Sequence, residues 1–262
     1  MSVLSKSFYS ILASALLISP LLVSASSDND DNKTQKAPIH WSYQGDTGPI
    51  HWAELSSEFL TCKQGKNQSP ENISRAVKAK LKPIAFDYAM LVPENIVNTG
   101  HSIQVNIRSG GSIKFDDKEF FLKQFHFHSP SENQIDGVSY PLEAHFVHVS
   151  DDNELAVVSL LYQPGLDNLA LLPLLKNMPM KVGGSSRLSA QDTQLFERKK
   201  AVKNYFRYNG SLTTPPCTEG VTWIVMQSRP GMSQRQLNVF RTALQHPNSR
   251  PVQPLNARTV LK

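Results

Sequence analysis

The stretch KQFHFH at residues 123–128 alternates two histidines with two phenylalanines. Successive side chains of an extended strand point to opposite faces, so His126, His128 and Gln124 share one face. The two phenylalanines then point into the opposite layer, where they would pack in a core. The alternation therefore predicts a sheet strand with one buried apolar face and a pair of imidazoles on the other face.

A second alternating stretch, LEAHFVHV, follows at residues 142–149. It places Glu143, His145 and Val147 on one face. His148 falls on the opposite face, and we interpret it as structural. A lone strand histidine is more often a hydrogen-bonded core residue than a metal ligand. Three of the chain's eight histidines nevertheless fall within twenty positions, which favours a three-histidine metal site on two neighbouring strands.

Two of these histidines follow a hydrogen-bonding side chain by two positions, with Gln124 before His126 and Glu143 before His145. A metal-bound histidine usually donates its second ring N–H to such an acceptor. Three neutral imidazoles without a thiolate favour Zn²⁺, although Co²⁺, Cu²⁺ and Ni²⁺ would also bind such nitrogens. Three protein ligands leave one position of a tetrahedral ion open, which is typical of catalytic zinc. The sequence therefore predicts one open zinc site per chain.

The composition is that of an ordinary globular chain of 262 residues, 40% apolar and 19% charged. The formal net charge of +5 is spread along the sequence without a long basic run, so nucleic-acid binding is not indicated. The charge instead predicts good solubility and a mild attraction for anions.

The N-terminus has the pattern of a secretory signal, with one basic residue before an apolar stretch at residues 8–23 that ends in small side chains. We predict a signal peptide over residues 1–25, a disordered polar leader over 26–38 and a folded domain over 39–262. The product would be periplasmic or secreted and would keep no stable membrane span. The alternative is an uncleaved membrane anchor.

The chain has two cysteines, Cys62 and Cys217. In the oxidising compartment that the signal implies, they should pair in a disulfide. The alternative is two unpaired buried thiols.

Short extended stretches separated by turn residues predict a large sheet. Alternation and apolar runs predict strands at residues 103–107, 112–115, 119–127 and 155–162. Helical spacing after plausible caps predicts helices over residues 166–176 and 233–244. The fold class is therefore mainly β (α+β), with a few short peripheral helices.

Further motifs surround the histidines in a fixed order. They are WSY at 41–43, GKNQSP at 65–70, NTGH at 98–101, PSEN at 130–133, EAHFVH at 143–148, NGSLTTPP at 209–216 and NSRPVQP at 248–254. Together with the histidine pair and its glutamine, this ordered set resembles the alpha-class carbonic anhydrases, especially their exported bacterial members, over most of residues 39–262.

The resemblance implies a single domain around a twisted, mainly antiparallel sheet of about ten strands. It also implies zinc-dependent, reversible hydration of carbon dioxide to bicarbonate and a proton by attack of zinc-bound hydroxide. Thr213 and Glu132 match the residues that orient the hydroxide, and His101 matches the proton shuttle. Spacing alone would favour reading Thr213 and Thr214 as turn residues before Pro215, and the alternative for His101 is a solvent-facing loop residue.

The remaining site residues are implied mainly by the resemblance. The substrate-binding positions are Thr214, Val147, Val157, Leu212 and Trp223. The supporting positions are Gln124, Glu143, Asn248 through its backbone carbonyl to His128, and Tyr43 in the water network of the cleft. Asn133 departs from the many animal members that have a histidine after the buried glutamate.

The expected partner is a small molecule, carbon dioxide or bicarbonate, and the chain would act as a monomer or homodimer. Weak esterase activity could come from the same hydroxide. The alternative function is a non-catalytic exported zinc-binding or adhesion module on the same scaffold.

Overall fold

The strands form where the sequence alternates or runs apolar. The structure, a computed structural model, describes residues 39–193 and 199–262, so the predicted signal peptide and leader lie outside the described residues. In chain order the strands of this part are β1 Asn72–Ile73, β2 Ile84–Asp87, β3 Val92–Asn98, β4 Ile103–Ser109, β5 Ser112–Phe115, β6 Lys118–His128, β7 Gln134–Ile135, β8 Val138–Ser139, β9 Leu142–Val149, β10 Leu155–Pro164, β11 Ser185–Arg187, β12 Lys199–Val202, β13 Tyr205–Ser211, β14 Glu219–Met226 and β15 Gly231–Met232.

Twelve of these described strands join in one sheet, and β1, β7 and β8 form a small separate one. The main path of the large sheet runs β11-β3-β4-β6-β9-β10-β14-β13, with β2, β5, β12 and β15 attached beside it. Its pairs are antiparallel except that β10 runs parallel to β14 and β15. The prediction of a large, mainly antiparallel sheet with few helices is confirmed, and the sheet has two strands more than the ten expected.

The central pair β6 and β9 carries the predicted histidines. Their register sets His126 directly opposite His145 and follows a bulge between Leu122 and Gln124. On the other face, Phe125 and Phe146 are buried and stacked with ring centroids 5.0 Å apart. Burying a phenylalanine contributes roughly 1.5–3 kcal/mol, so this apolar face fixes which side chains of both strands face the site.

Helices are few and short. The described α-helices are α1 Trp52–Leu55, α2 Thr61–Gln64, α3 Leu172–Lys176 and α4 Gln234–Leu244, and the 3-10 helices are Gly45–Thr47, Ser57–Phe59, Leu169–Leu171 and Ala190–Thr193. The helix predicted over 233–244 forms with Ser233 as its cap. The helix predicted over 166–176 is wrong in its first half, because Asn168 caps a 3-10 turn and Pro173 occupies the first turn of α3.

Cys62 in α2 is disulfide-bonded to Cys217, which follows β13. The predicted pairing is therefore confirmed, and the bridge ties the N-terminal helices to the loop between β13 and β14. Among the described residues, no helix is both long and apolar enough to cross a membrane.

His148 lies on the core side of β9, as predicted, and should make the protein sensitive to acid. It is fully buried, with its Nε2 2.8 Å from the Tyr88 hydroxyl, and burial lowers its pKa to about 3. An unfolded histidine titrates near pH ~6.5, so between these values the unfolded chain binds more protons. The free energy of unfolding should therefore fall by up to about 1.4 kcal/mol per pH unit as the pH drops through this window.

Urea unfolding of zinc-free protein from pH 7 to pH 4 measures this dependence. His148→Gln should show a shallower loss of stability with falling pH than the parent chain. Parallel curves would contradict the assignment.

Candidate metal centre and cleft

The structure brings His126, His128 and His145 together, as the alternation of their strands predicts. One ring nitrogen of each lies within 4.8 Å of the others. The ring centroids are 4.5 to 5.3 Å apart. His128 and His145 are buried, and His126 is half-buried at the wall of a cleft.

The donor set suits a zinc ion. Nε2 of His128 is buried and has no hydrogen-bond partner among the described residues, which costs about 1–3 kcal/mol unless a ligand satisfies it. Burial holds the pKa of His126 well below its usual value and also lowers that of His128. Both imidazoles are therefore neutral near pH 7, which is the form that binds a metal ion. Three neutral nitrogens fit the predicted Zn²⁺.

Each histidine contacts the support that was predicted for it. Nδ1 of His126 lies 2.8 Å from Oε1 of Gln124, and Nδ1 of His128 lies 2.7 Å from the carbonyl oxygen of Asn248. Nε2 of His145 lies 2.9 Å from Glu143, although its N–H is poorly aligned with the carboxylate. These contacts leave the opposite nitrogen of each ring for a metal ion.

Glu143 is a buried carboxylate with several donors. Its Oε2 accepts bonds from the backbone amides of Glu132 (2.7 Å) and Asn133 (2.9 Å). Its Oε1 accepts from the Asn133 side chain (2.7 Å) and the Ser159 hydroxyl (2.5 Å). Burial alone would raise its pKa, but the charge and side-chain contact of His145, together with the side chains of Asn133 and Ser159, lower the pKa to about 2. Glu143 is therefore an ionised acceptor for the His145 ring.

Glu132 lies beside two of the three clustered histidines. Its Oε2 is 3.5 Å from Nε2 of His128 and 3.8 Å from Nδ1 of His145, and its Oε1 accepts the Arg250 amide at 2.8 Å. Burial raises the pKa of Glu132 to about 7, against the lowering effects of His145, the Arg250 amide and a hydrogen bond with the Thr213 side chain. Thr213 thus lies close to Glu132, whose Oε2 faces His128 and His145 and has no hydrogen-bond partner among the described residues.

A closed loop positions the two threonines. The backbone amide of Leu212 donates to the carbonyl of Thr218 (2.9 Å), and the backbone amide of Cys217 donates to the carbonyl of Thr214 (2.8 Å). The disulfide at Cys217 adds a covalent anchor. Thr213 is buried, whereas Thr214 lines the cleft.

The cleft has a volume of about 250 Å³ and leads from His126 and His128 to the surface. Tyr43, His101 and Gln124 line it. The ring of His101 stacks on Trp41 with centroids 3.8 Å apart and an angle of 11° between the planes. Partial burial lowers the pKa of His101, and the charge interactions with the nearby His40 and His246 lower it further.

An apolar wall lies beside His145. Val147, Val157 and Trp223 face one another across β9, β10 and β14, and Leu212 packs on the same cluster. The ring centroids of His145 and Trp223 are 4.9 Å apart. The structure thus places all four predicted wall residues in one apolar cluster that reaches the metal centre.

Several residues of the site were not predicted from the sequence. Ser159 is opposite His145 in the pairing of β9 with β10, and only that register identifies it. The role of Trp41 depends on the N-terminal segment folding over the cleft. The backbone and side-chain amides of Asn133 both donate to Glu143. Its place directly after Glu132 is the one sequence signal for this role.

Comparisons with known proteins agree with this arrangement. The family model described as eukaryotic-type carbonic anhydrase matches residues 47–262. A carbonic anhydrase of Neisseria gonorrhoeae is 43% identical over 224 residues, covering 85% of this chain and 88% of that protein. One from Pectobacterium atrosepticum is 39% identical over 251 residues, covering 94% of this chain and 97% of that protein. The solved alpha-carbonic anhydrase of Thermovibrio ammonificans, in complex with sulfanilamide, is 44% identical with a TM-score of 0.80, covering 86% of this chain and all of that one.

Proposed function

The chain belongs to the eukaryotic-type carbonic anhydrase family, and we propose that it catalyses the reversible hydration of carbon dioxide to bicarbonate and a proton. One Zn²⁺, held by His126, His128 and His145, would be its cofactor. The observation that carries the proposal is the buried Glu132 directly beside His128 and His145, with the Thr213 side chain next to Glu132. A site that only stores zinc does not need such a pair.

The bound ion would supply a hydroxide nucleophile near neutral pH by lowering the pKa of a coordinated water, an effect for which carbonic anhydrase is itself the standard example. The protein supplies orientation. With the ion bound, the Thr213 hydroxyl would accept a hydrogen bond from the nucleophile and donate one to Glu132, which would fix the orientation of the nucleophile toward the substrate. Glu132 must be ionised for this, and a cation on the neighbouring histidines would favour its charged form.

The substrate is an apolar gas and needs a surface that water does not occupy. Val147, Val157, Leu212 and Trp223 would provide it, since they form one apolar cluster next to His145. Thr214 lines the cleft, where its hydroxyl could bind bicarbonate, and Tyr43 could hold water in the same cleft.

His101 would carry the released proton out of the cleft. An imidazole exchanges protons readily near neutral pH, and the stack on Trp41 holds the His101 ring at the cleft wall. His101→Ala should therefore slow turnover chiefly in weak buffer, with recovery when imidazole is added. Steady-state hydration rates across a range of buffer concentrations measure this effect. An equal loss in concentrated buffer would assign His101 a different role.

Export to the periplasm or the medium is part of the proposal. The signal-like pattern of residues 1–25 and the disulfide between Cys62 and Cys217 support it, because structural disulfides form in oxidising compartments.

A stopped-flow assay of carbon dioxide hydration, with and without a zinc chelator, tests the function on protein that begins at residue 39. The zinc-loaded protein should greatly exceed the buffer rate, and the chelator should abolish the excess. A zinc-loaded protein with no rate above buffer would instead be the non-catalytic zinc-binding module. Weak ester hydrolysis, inhibited by the same chelator, should accompany the main activity.

A further inference from the structure

The side chain of Asn248 is completely buried between the end of β6 and the loop that carries His101. Its Nδ2 donates to the carbonyls of Phe127 (2.9 Å) and His101 (3.0 Å). Its Oδ1 accepts the amide of Ser129 at 2.9 Å. The backbone carbonyl of Asn248 accepts the ring N–H of His128 at 2.7 Å. The residue therefore contacts a metal-binding histidine and the proton-transfer histidine at once.

Two of the side-chain bonds enclose His128. Phe127 precedes this histidine and Ser129 follows it, so the Asn248 side chain hydrogen-bonds the backbone on both sides of His128. The carbonyl that orients the His128 ring belongs to the same residue. Any shift of Asn248 relative to β6 would therefore move the hydrogen-bond acceptor of the ring together with the backbone that carries it.

The remaining N–H of the amide reaches the carbonyl of His101 in the connection between β3 and β4. All three side-chain partners are backbone groups, and the amide supplies two donors and one acceptor to match them. Aspartate would present no donor to the two carbonyls, and leucine would satisfy none of the three groups. The asparagine is thus specified by its chemistry and not only by its volume.

We propose that Asn248 is a positioning residue that sets the separation of His128 and His101 and so couples metal binding to proton transfer. The proposal rests on the proposed function, in which His128 binds Zn²⁺ and His101 carries the proton. It goes beyond the predicted role of Asn248, which used only its backbone carbonyl. Asn248 itself touches neither the substrate nor the metal.

The test compares Asn248→Ala with a matched variant, Gln236→Ala. Gln236 is also a buried amide that bonds three backbone groups, the N–H and C=O of Asn168 at 2.8 Å each and the N–H of Ser233 at 3.3 Å. It lies in the first turn of α4 and does not line the cleft. Both variants should lower the midpoint of thermal unfolding. Only Asn248→Ala should weaken zinc affinity, by about 10–100-fold in competition with a chelator.

The link to His101 is measured in zinc-saturated protein. Asn248→Ala should lose more turnover in weak buffer than in strong buffer, and this extra loss should vanish when His101→Ala is already present. The non-additivity is a readout that a general loss of stability does not produce. If Asn248→Ala does not fold, Asn248→Ser retains one hydroxyl for these bonds and is measured in its place.

Two results would overturn the proposal. Zinc affinity and buffer dependence that match Gln236→Ala would make Asn248 a packing residue. An extra loss in weak buffer that persists in the His101→Ala background would remove the coupling to His101. If the parent chain binds zinc but hydrates no carbon dioxide, the proposed function fails, whereas the zinc-affinity comparison still decides whether Asn248 positions His128.

Discussion

Replacing Thr213 by alanine should lower the turnover of carbon dioxide hydration roughly 100-fold or more while the protein keeps its zinc. The buried side chain of Thr213 lies next to Glu132, and the Arg250 amide fixes Oε1 of that carboxylate at 2.8 Å. Alanine removes the hydroxyl that can accept a hydrogen bond from the nucleophile and donate one to the carboxylate. His126, His128 and His145, the proposed zinc ligands, keep their contacts with Gln124, Asn248 and Glu143.

Stopped-flow hydration and the zinc content of the same sample check this expectation. Thr222→Ala is a suitable control, because Thr222 is a half-buried threonine on β14, next to Trp223 in sequence, and does not line the cleft. It should retain nearly full turnover. Loss of zinc from Thr213→Ala would show that this residue supports the metal site instead of orienting the nucleophile.

The three-histidine cluster could be predicted from local sequence because a strand repeats every two residues. Alternation alone placed His126 with His128, and His145 with Glu143 and Val147. In the structure His126 stands directly opposite His145. The same period sends Phe125 and Phe146 to the core, so the burial of one face and the chemistry of the other follow from one pattern.

The remaining contacts join residues that are far apart in sequence. The Arg250 amide on Glu132 spans 118 positions, and the Asn248 amide on His101 spans 147. The parallel pairing of β10 with β14 brings Val157 beside Trp223, and no local pattern encodes that pairing.

The helix predicted over residues 166–176 was wrong in its first half for a different reason. There the apolar spacing was real, but Leu166 and Leu169 are exposed and gain little by forming a helix.

Zinc itself should be lost when one of its three ligands is removed, and His126→Ala is the most informative choice. His126 is half-buried, whereas His128 and His145 are almost fully buried, so truncation at His126 disturbs the core least. Loss of an outer hydrogen-bond partner typically weakens metal binding 10–100-fold, so loss of a ligand should exceed roughly 100-fold. Hydration should then fall to the buffer rate.

Zinc content after dialysis, a chelator competition and the hydration rate measure this loss in one preparation. His51→Ala is the control, because His51 is a partly exposed histidine that contacts Glu54 at 2.9 Å and does not line the cleft. It should keep one zinc per chain and normal turnover. Because the two remaining imidazoles keep their positions, a partial recovery by added imidazole would support the geometry of the site. A His126→Ala protein that binds zinc as tightly as the parent would show that the three histidines are not the ligand set.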